Sequence, residues 1–214
     1  MTIRVLAADQ SVARRPFTSI ALYNRDLGTL SYLLEDLRSL LAQMATGEMT
    51  VIPYQTNEWQ VHGLKRRAIV TNAMGLYNRR TVCVVGFFGE RHVEKDHTAL
   101  EEANAEIVLE FRNFPGILSY SSMELPDGNW ANLVLHDIPE VREYWRASER
   151  HARAAQELSP QYYRTVRIHN GILPGGLMSG RAMVVERTKF WDYRNPRVWK
   201  AVRELRPPTA GIAH

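Results

Sequence analysis

Thr81-Val-Cys-Val-Val-Gly-Phe-Phe88 is an unbroken run of β-branched and aromatic residues that closes on Gly89. A run this short and this apolar reads as a central strand covered on both faces. Downstream of it the period changes to that of a helix. Leu100, Ala103, Ile107, Val108 and Phe111 recur at steps of three and four, glutamates fill the gaps, Asp96 is placed to cap the start and Pro115-Gly116 ends the run. Ile117 to Met123 then reads as a strand, Pro126-Asp-Gly-Asn129 as a hairpin turn and Trp130 to Leu135 as the partner strand. Asp137-Ile-Pro-Glu140 opens a second helix that runs to about Glu157, with Ser159-Pro160 as its end. Tyr162 to His169 is a fourth strand, closed by Asn170-Gly171. Strand, helix, strand, strand, helix, strand is the ferredoxin-like split βαβ order of an α+β fold. Right-handed crossovers put the helices near 97–113 and 138–157 on one face of a four-stranded antiparallel sheet. The opposite face is apolar enough to require cover from a two-fold partner or from the rest of the chain.

The flanking segments are less regular. Phe17 to Tyr23 reads as a strand, Leu27 to Met44 as an amphipathic helix on Leu30, Leu33, Leu34, Leu37, Leu40 and Leu41, Met49 to Gln55 as a second strand and Ala68 to Ala73 as a third. This order predicts an incomplete ferredoxin-like repeat over residues 1–80, packed sheet against sheet on the main unit of 81–176. Residues 177–214 add a strand at Arg181 to Arg187, a short helix near Pro196 to Leu205 and a tail.

With 45% hydrophobic and 23% charged residues over 214 positions, the composition is that of a globular chain rather than a disordered or fibrous one. The uncharged apolar stretches fall short of the roughly 18 to 20 residues of a spanning helix, and the first residues lack the pattern of a secretory signal, so a cytoplasmic protein is expected. Cys83 is the single cysteine, which rules out an internal disulfide and reads as core packing. The net charge of +4 rests on 23 arginines against four lysines, in scattered pairs such as Arg14-Arg15 and Arg79-Arg80 that have the look of solvated surface.

Strand alternation sorts the candidate functional side chains. Ala131, Leu133 and Leu135 are apolar and are assigned to the helix side, leaving Trp130, Asn132 and His136 on the open face. Val166 and Ile168 are assigned likewise, leaving Tyr163, Thr165, Arg167 and His169 on the open face. The expectation is a pocket on that face for a small aromatic or acidic organic molecule, with Trp130, Asn132 and Tyr163 binding it. His136 or His169 would accept a proton from a phenol or quinol, and Arg167 would hold the resulting anion.

Glu140-Val-Arg-Glu-Tyr-Trp145-Arg-Ala-Ser148-Glu149, with the later Ser159-Pro160-Gln-Tyr162, resembles the second helix of the dimeric α+β barrel superfamily, which includes antibiotic-biosynthesis-monooxygenase-like proteins. The resemblance covers about residues 81–171. It implies a homo-oligomer of barrel type and an oxidoreductase of monooxygenase-like chemistry, cofactor-free in some members and haem-dependent in others. Haem-degrading members ligate iron through a histidine late in this helix; the histidine here is His151, with Gln156 nearer the Ser-Pro.

Two other classes stay open. One is a non-catalytic ligand-binding or assembly protein of the same fold. The other is a nucleic-acid binder of the RNA-recognition type that stacks bases on Phe87, Phe88 and Trp130, although the strand Asn129 to His136 lacks the basic and aromatic pattern of such modules. His92 and His97, with Glu94 and Asp96 between them, show no tetrahedral ligand spacing, and no metal is expected there. Asn170-Gly-Ile-Leu-Pro-Gly-Gly176 lacks the lysine of a phosphate loop and reads as a mobile rim.

Overall fold

The computed structural model describes residues 3–92, 94 and 98–205. Its strands are β1 (Arg4–Leu6), β2 (Thr56–Val61), β3 (Leu64–Val70), β4 (Thr81–Arg91), β5 (Ile117–Glu124), β6 (Trp130–His136), β7 (Tyr163–Pro174), β8 (Val184–Asp192) and β9 (Trp199–Glu204). They join in one sheet, in the order β1-β9-β8-β7-β4-β6-β5-β3-β2. Every neighbouring pair is antiparallel except β1 with β9. The central four, β7-β4-β6-β5, are the strands of the split βαβ unit, joined by α3 (Thr98–Leu109) and by the helical segment that begins with α4 (Pro139–Ala147). The first 80 residues do not make a second sheet: β2 and β3 form a hairpin that extends this one beside β5.

Helices cover both faces. On one, α1 (Ile20–Thr46) lays Leu30, Leu33, Leu34, Leu37 and Leu41 onto Val82, Val84, Phe88, Ala131, Leu133 and Leu135. On the other, Phe111, Val141 and Trp145, from the end of the α3 segment and from α4, pack on Ile69, Ile117, Tyr120 and Val134. Ala131, Leu133 and Leu135 therefore share a face as expected, but they face α1 rather than α3 and α4. Burying each leucine is worth about 1.5–3 kcal/mol, so the six-leucine stripe of α1 is the largest single source of cover for the apolar sheet.

Local signals explain most element ends. Ser19 accepts the Leu22 N–H through its hydroxyl and caps α1, so Phe17 to Tyr23 is a short 3-10 turn (Pro16–Thr18) and the first turn of the helix, not a strand. Gly47, at φ 76°, ends α1 with its N–H on the Gln43 and Met44 carbonyls. The stretch Met49 to Gln55 is loop, and the pairing strand starts one residue later at Thr56. Trp199 to Glu204, expected as a helix after Pro196, alternates instead with Ala201 and Arg203 buried, and forms β9. The second helix is divided at Ser148, whose extended backbone stops α4 and whose hydroxyl caps α5 (Glu149–Arg153). A π-helical stretch, Ala154–Leu158, then leads into α6 (Ser159–Tyr162), so Ser159-Pro160 lies inside the helical segment rather than at its end. Asn170 to Pro174, read as a mobile rim, continues β7. Gly171 is needed there because a Cβ would meet the Val184 carbonyl oxygen of β8 at 2.2 Å.

Candidate functional site

The register across the strands fixes which side chains share a face. Phe87 pairs with Asn132 and Ser122 pairs with Asn132, so all three point the same way, toward α3. Gly89, Trp130 and Glu124 form the next rank on that face. With Arg67 and Glu58 of the β2-β3 hairpin, Tyr120 of β5 and Tyr163 of β7, the residues Ser122, Glu124, Gly89, Trp130 and Asn132 line a cleft of about 780 Å³ closed on one side by Ala105, Val108 and Leu109 of α3. Such a volume suits a ring-sized ligand.

The walls are ordered by stacking and charge. The Arg67 guanidinium lies 4.7 Å from the Trp130 ring centre and is held by Glu58 at 2.8 Å across the hairpin. Tyr163 stands edge-on to Phe87 at 5.5 Å, and its ring passes over Gly89, where an added Cβ would lie 2.2 Å from it. Desolvation pushes the Tyr163 phenol up to about 12, against the pull of Arg91. Tyr120 is raised further, by desolvation first and by the neighbouring Tyr163 second. Both phenols therefore stay protonated at neutral pH and act as hydrogen-bond donors. Asn132 adds an amide, and Glu124 accepts the Lys65 backbone N–H at 3.2 Å at the rim.

The structure brings Trp130, Asn132 and Tyr163 together and separates them from Arg167 and His169. Phe88 pairs with Arg167 and Gly86 with His169, which puts both polar side chains on the α1 face. There Arg167 donates from Nε and Nη2 to the two oxygens of Asp26, at 2.6 and 2.9 Å. His169 shares Asp26 through Nε2 at 3.0 Å and meets Thr188 Oγ1 through Nδ1 at 2.9 Å. Burial alone would raise Asp26, but the hydrogen bonds from His169 and Arg167 outweigh it and hold the carboxyl below its usual value. Burial lowers His169 more than Asp26 raises it, so the imidazole is neutral, donating to Asp26 and accepting from Thr188. The expected base and anion partner thus lie on the α1 face, engaged with Asp26, and not in the cleft of Trp130. The signal for this placement lies in α1: Asp26 is on the leucine stripe, four residues before Leu30, and demands a polar partner from the sheet.

His136 shares the face of Asn132 but is buried beside Ile117, outside the cleft lining. His151 lies on α5 with its ring 5.3 Å from Trp145, and burial pushes it down to about 4. It lines neither this cleft nor the second cleft described below, so it is not placed to ligate the iron of a haem bound in either. Phe88 is buried under α1 and cannot stack a base, which removes one of the three rings of the nucleic-acid reading. Asp96 and His97 lie outside the described residues. Tyr120, Ser122, Arg67 and Glu58 also line the cleft but are not among the side chains that alternation on β6 and β7 singles out; the last two reach it because the β2-β3 hairpin extends the same sheet beside β5.

No helix among the described residues is long and apolar enough to cross a membrane. No family model matches the chain, and no curated protein matches it. Among solved structures it is similar to protein SO0527 from Shewanella oneidensis, with 15% identity over 45% of this chain and 95% of that one at a TM-score of 0.37. It is also similar to SnoaB, a cofactor-independent oxygenase from Streptomyces nogalater, with 13% identity over 48% of this chain and 99% of that one at a TM-score of 0.36.

Proposed function

We propose that the cleft between the sheet and α3 binds a small, oxygen-bearing aromatic molecule, in a monooxygenase-like α+β protein. The observation that carries this reading is the convergence of Trp130, Asn132, Tyr120, Tyr163 and Arg67 on one cavity. Trp130 and Tyr163 offer ring faces and edges, while two protonated phenols and the Asn132 amide offer hydrogen bonds to a carbonyl or phenolic oxygen. Arg67 beside Trp130 makes that wall electropositive and favours a ligand that carries, or develops, negative charge. In the catalytic form of the reading, a phenol or quinol is deprotonated before it meets oxygen. Among the described residues the proton acceptors that line the cleft are the carboxylates Glu58 and Glu124. Both are already engaged, Glu58 by Arg67 and Glu124 by the Lys65 N–H, which favours the second reading, a protein of this architecture that binds the ring without turning it over.

Titration of the full chain with 1-naphthol and 1,4-naphthoquinone, followed by calorimetry, tests the site. Trp130→Ala and Asn132→Ala should each weaken binding about tenfold, the worth of a ring contact or a well-placed hydrogen bond. Unchanged affinity in both variants would remove the cleft as the site. Oxygen uptake with 1-naphthol separates the catalytic form from the binding form.

A further inference from the structure

A second cleft of about 640 Å³ opens on the opposite face of the sheet, at the N-terminal end of α1. Four arginines from three places in the chain line it: Arg25 from α1, Arg164 and Arg167 from β7, and Arg194 from the β8-β9 connection. Its floor is aromatic, and two of the arginines already stack on that floor, Arg167 over Phe88 at 5.3 Å and Arg194 over Phe17 at 5.6 Å. We propose that this cleft binds an organic carboxylate with a ring-sized apolar body, independently of the site under α3.

Three of the guanidinium groups are aimed by internal carboxylates. Asp26 grips Nε and Nη2 of Arg167, which leaves Nη1 outside that pair. Asp192 holds Arg194 through two oxygens, at 2.9 and 2.7 Å, and Glu90 lies 3.3 Å from Arg164. Arg25 has no ion-pair partner among the described residues and stands exposed at the mouth. The acidic groups that share the wall are Glu90, also engaged by the Thr165 hydroxyl, and Asp127, which accepts the Asn129 N–H. Asp26, Asp192 and Glu90 offset three of the four cations, so the positive field left for a ligand comes from Arg25 and from the first turn of a 27-residue helix with no acidic residue to offset its dipole. A carboxylate takes two parallel hydrogen bonds from a guanidinium, and the apolar body would lie against Pro16, Leu22 and Leu125 of the same lining.

Benzoate and its uncharged counterpart benzyl alcohol are titrated into the full chain by ligand-observed NMR. Benzoate should bind at least tenfold more tightly than the alcohol, and Arg25→Gln and Arg25→Glu should each weaken it by about that factor or more. Arg25 is exposed and unpaired, so both variants should keep the fold. Arg80→Gln, which removes an exposed arginine outside both clefts, should leave benzoate affinity unchanged. Equal binding of the alcohol, insensitivity to both Arg25 variants, no benzoate binding at millimolar concentration, or an equal loss on Arg80→Gln would each overturn the proposal. The naphthol titrations read the other cleft and succeed or fail separately.

Discussion

Asp26 shows how one residue can decide which side of a sheet is structural. A carboxylate buried under a leucine stripe needs a cation and hydrogen bonds, because an unpaired buried charge costs several kcal/mol. β7 supplies them through Arg167 and His169, and β8 adds Thr188 behind the imidazole. The cluster has a definite pH dependence. Asp26 is held below 3.8, while His169 and His151 are held below 6.5, the last down to about 4. All three are depressed, so their contributions are present above the unfolded values and are lost as pH falls. The urea midpoint should hold above pH 6.5 and fall below it, as unfolded histidines take protons that the native ones refuse. A second loss should follow below 3.8, where unfolded Asp26 protonates first. His151→Gln should flatten the decline between 6.5 and about 4 without abolishing it, since His169 remains. A midpoint that stays level or rises on acidification from pH 7 to 5 would contradict the assignment of two neutral buried imidazoles.

At the scale of elements, the split βαβ strands were legible because each signal was local. The apolar run at Thr81 to Phe88, the Asp127-Gly128 turn and the three-and-four period of α3 can each be read without knowing what lies across the fold. What could not be read was which helix covers which face. On β6 the set Ala131, Leu133 and Leu135 is apolar and on β7 the set Thr165, Arg167 and His169 is polar, yet both lie on the α1 face; alternation sorts each strand into two sets without saying which set lies on which face. Trp130 and Asn132 share a face by their parity on β6; Tyr163 has the same parity as Arg167 and His169 on β7 and reaches the face of Trp130 only because the register shifts near Arg91, which no local pattern announces. β9 was misread because Pro196 mimics a helix start, and its alternation over Trp199 to Glu204 is only six residues long. The close approach of α1 to β4 depends on Gly86, where an added Cβ would lie 2.6 Å from a Leu30 methyl. Gly86→Ala should therefore push α1 off the sheet and cost about 1–3 kcal/mol in urea unfolding, as overpacking of a filled core does. Gly28→Ala is the control: nothing lies within 4 Å of its added Cβ, and a glycine inside a helix gives way to alanine with a gain in stability. Equal effects of the two changes would show that Leu30 is not seated as described.

The molecule as a whole is a nine-stranded sheet whose two faces have been given different work. The α3 face is incompletely covered, and the gap is the cleft of Trp130 and Tyr163. The other face was expected to be covered either by a two-fold partner or by the first 80 residues, and α1 from the same chain lies there. Barrel closure by sheet-to-sheet pairing of two copies would need that face bare, so α1 and such a partner are mutually exclusive occupants. Removing α1 should then recreate the demand for a partner. A chain starting at Met49 would expose Val82, Val84, Phe88, Leu133 and Leu135 together, all of them almost wholly buried in the intact chain. An apolar patch of that kind does not stay in water. By sedimentation, the shortened chain should pair with itself or precipitate under conditions where the intact chain does neither through this face. Hydrophobic-dye fluorescence should rise with the loss of α1, and adding residues 1–48 back as a separate peptide should lower it. A shortened chain that remained monomeric and dark to the dye would mean that the sheet face does not depend on the α1 leucines for its cover.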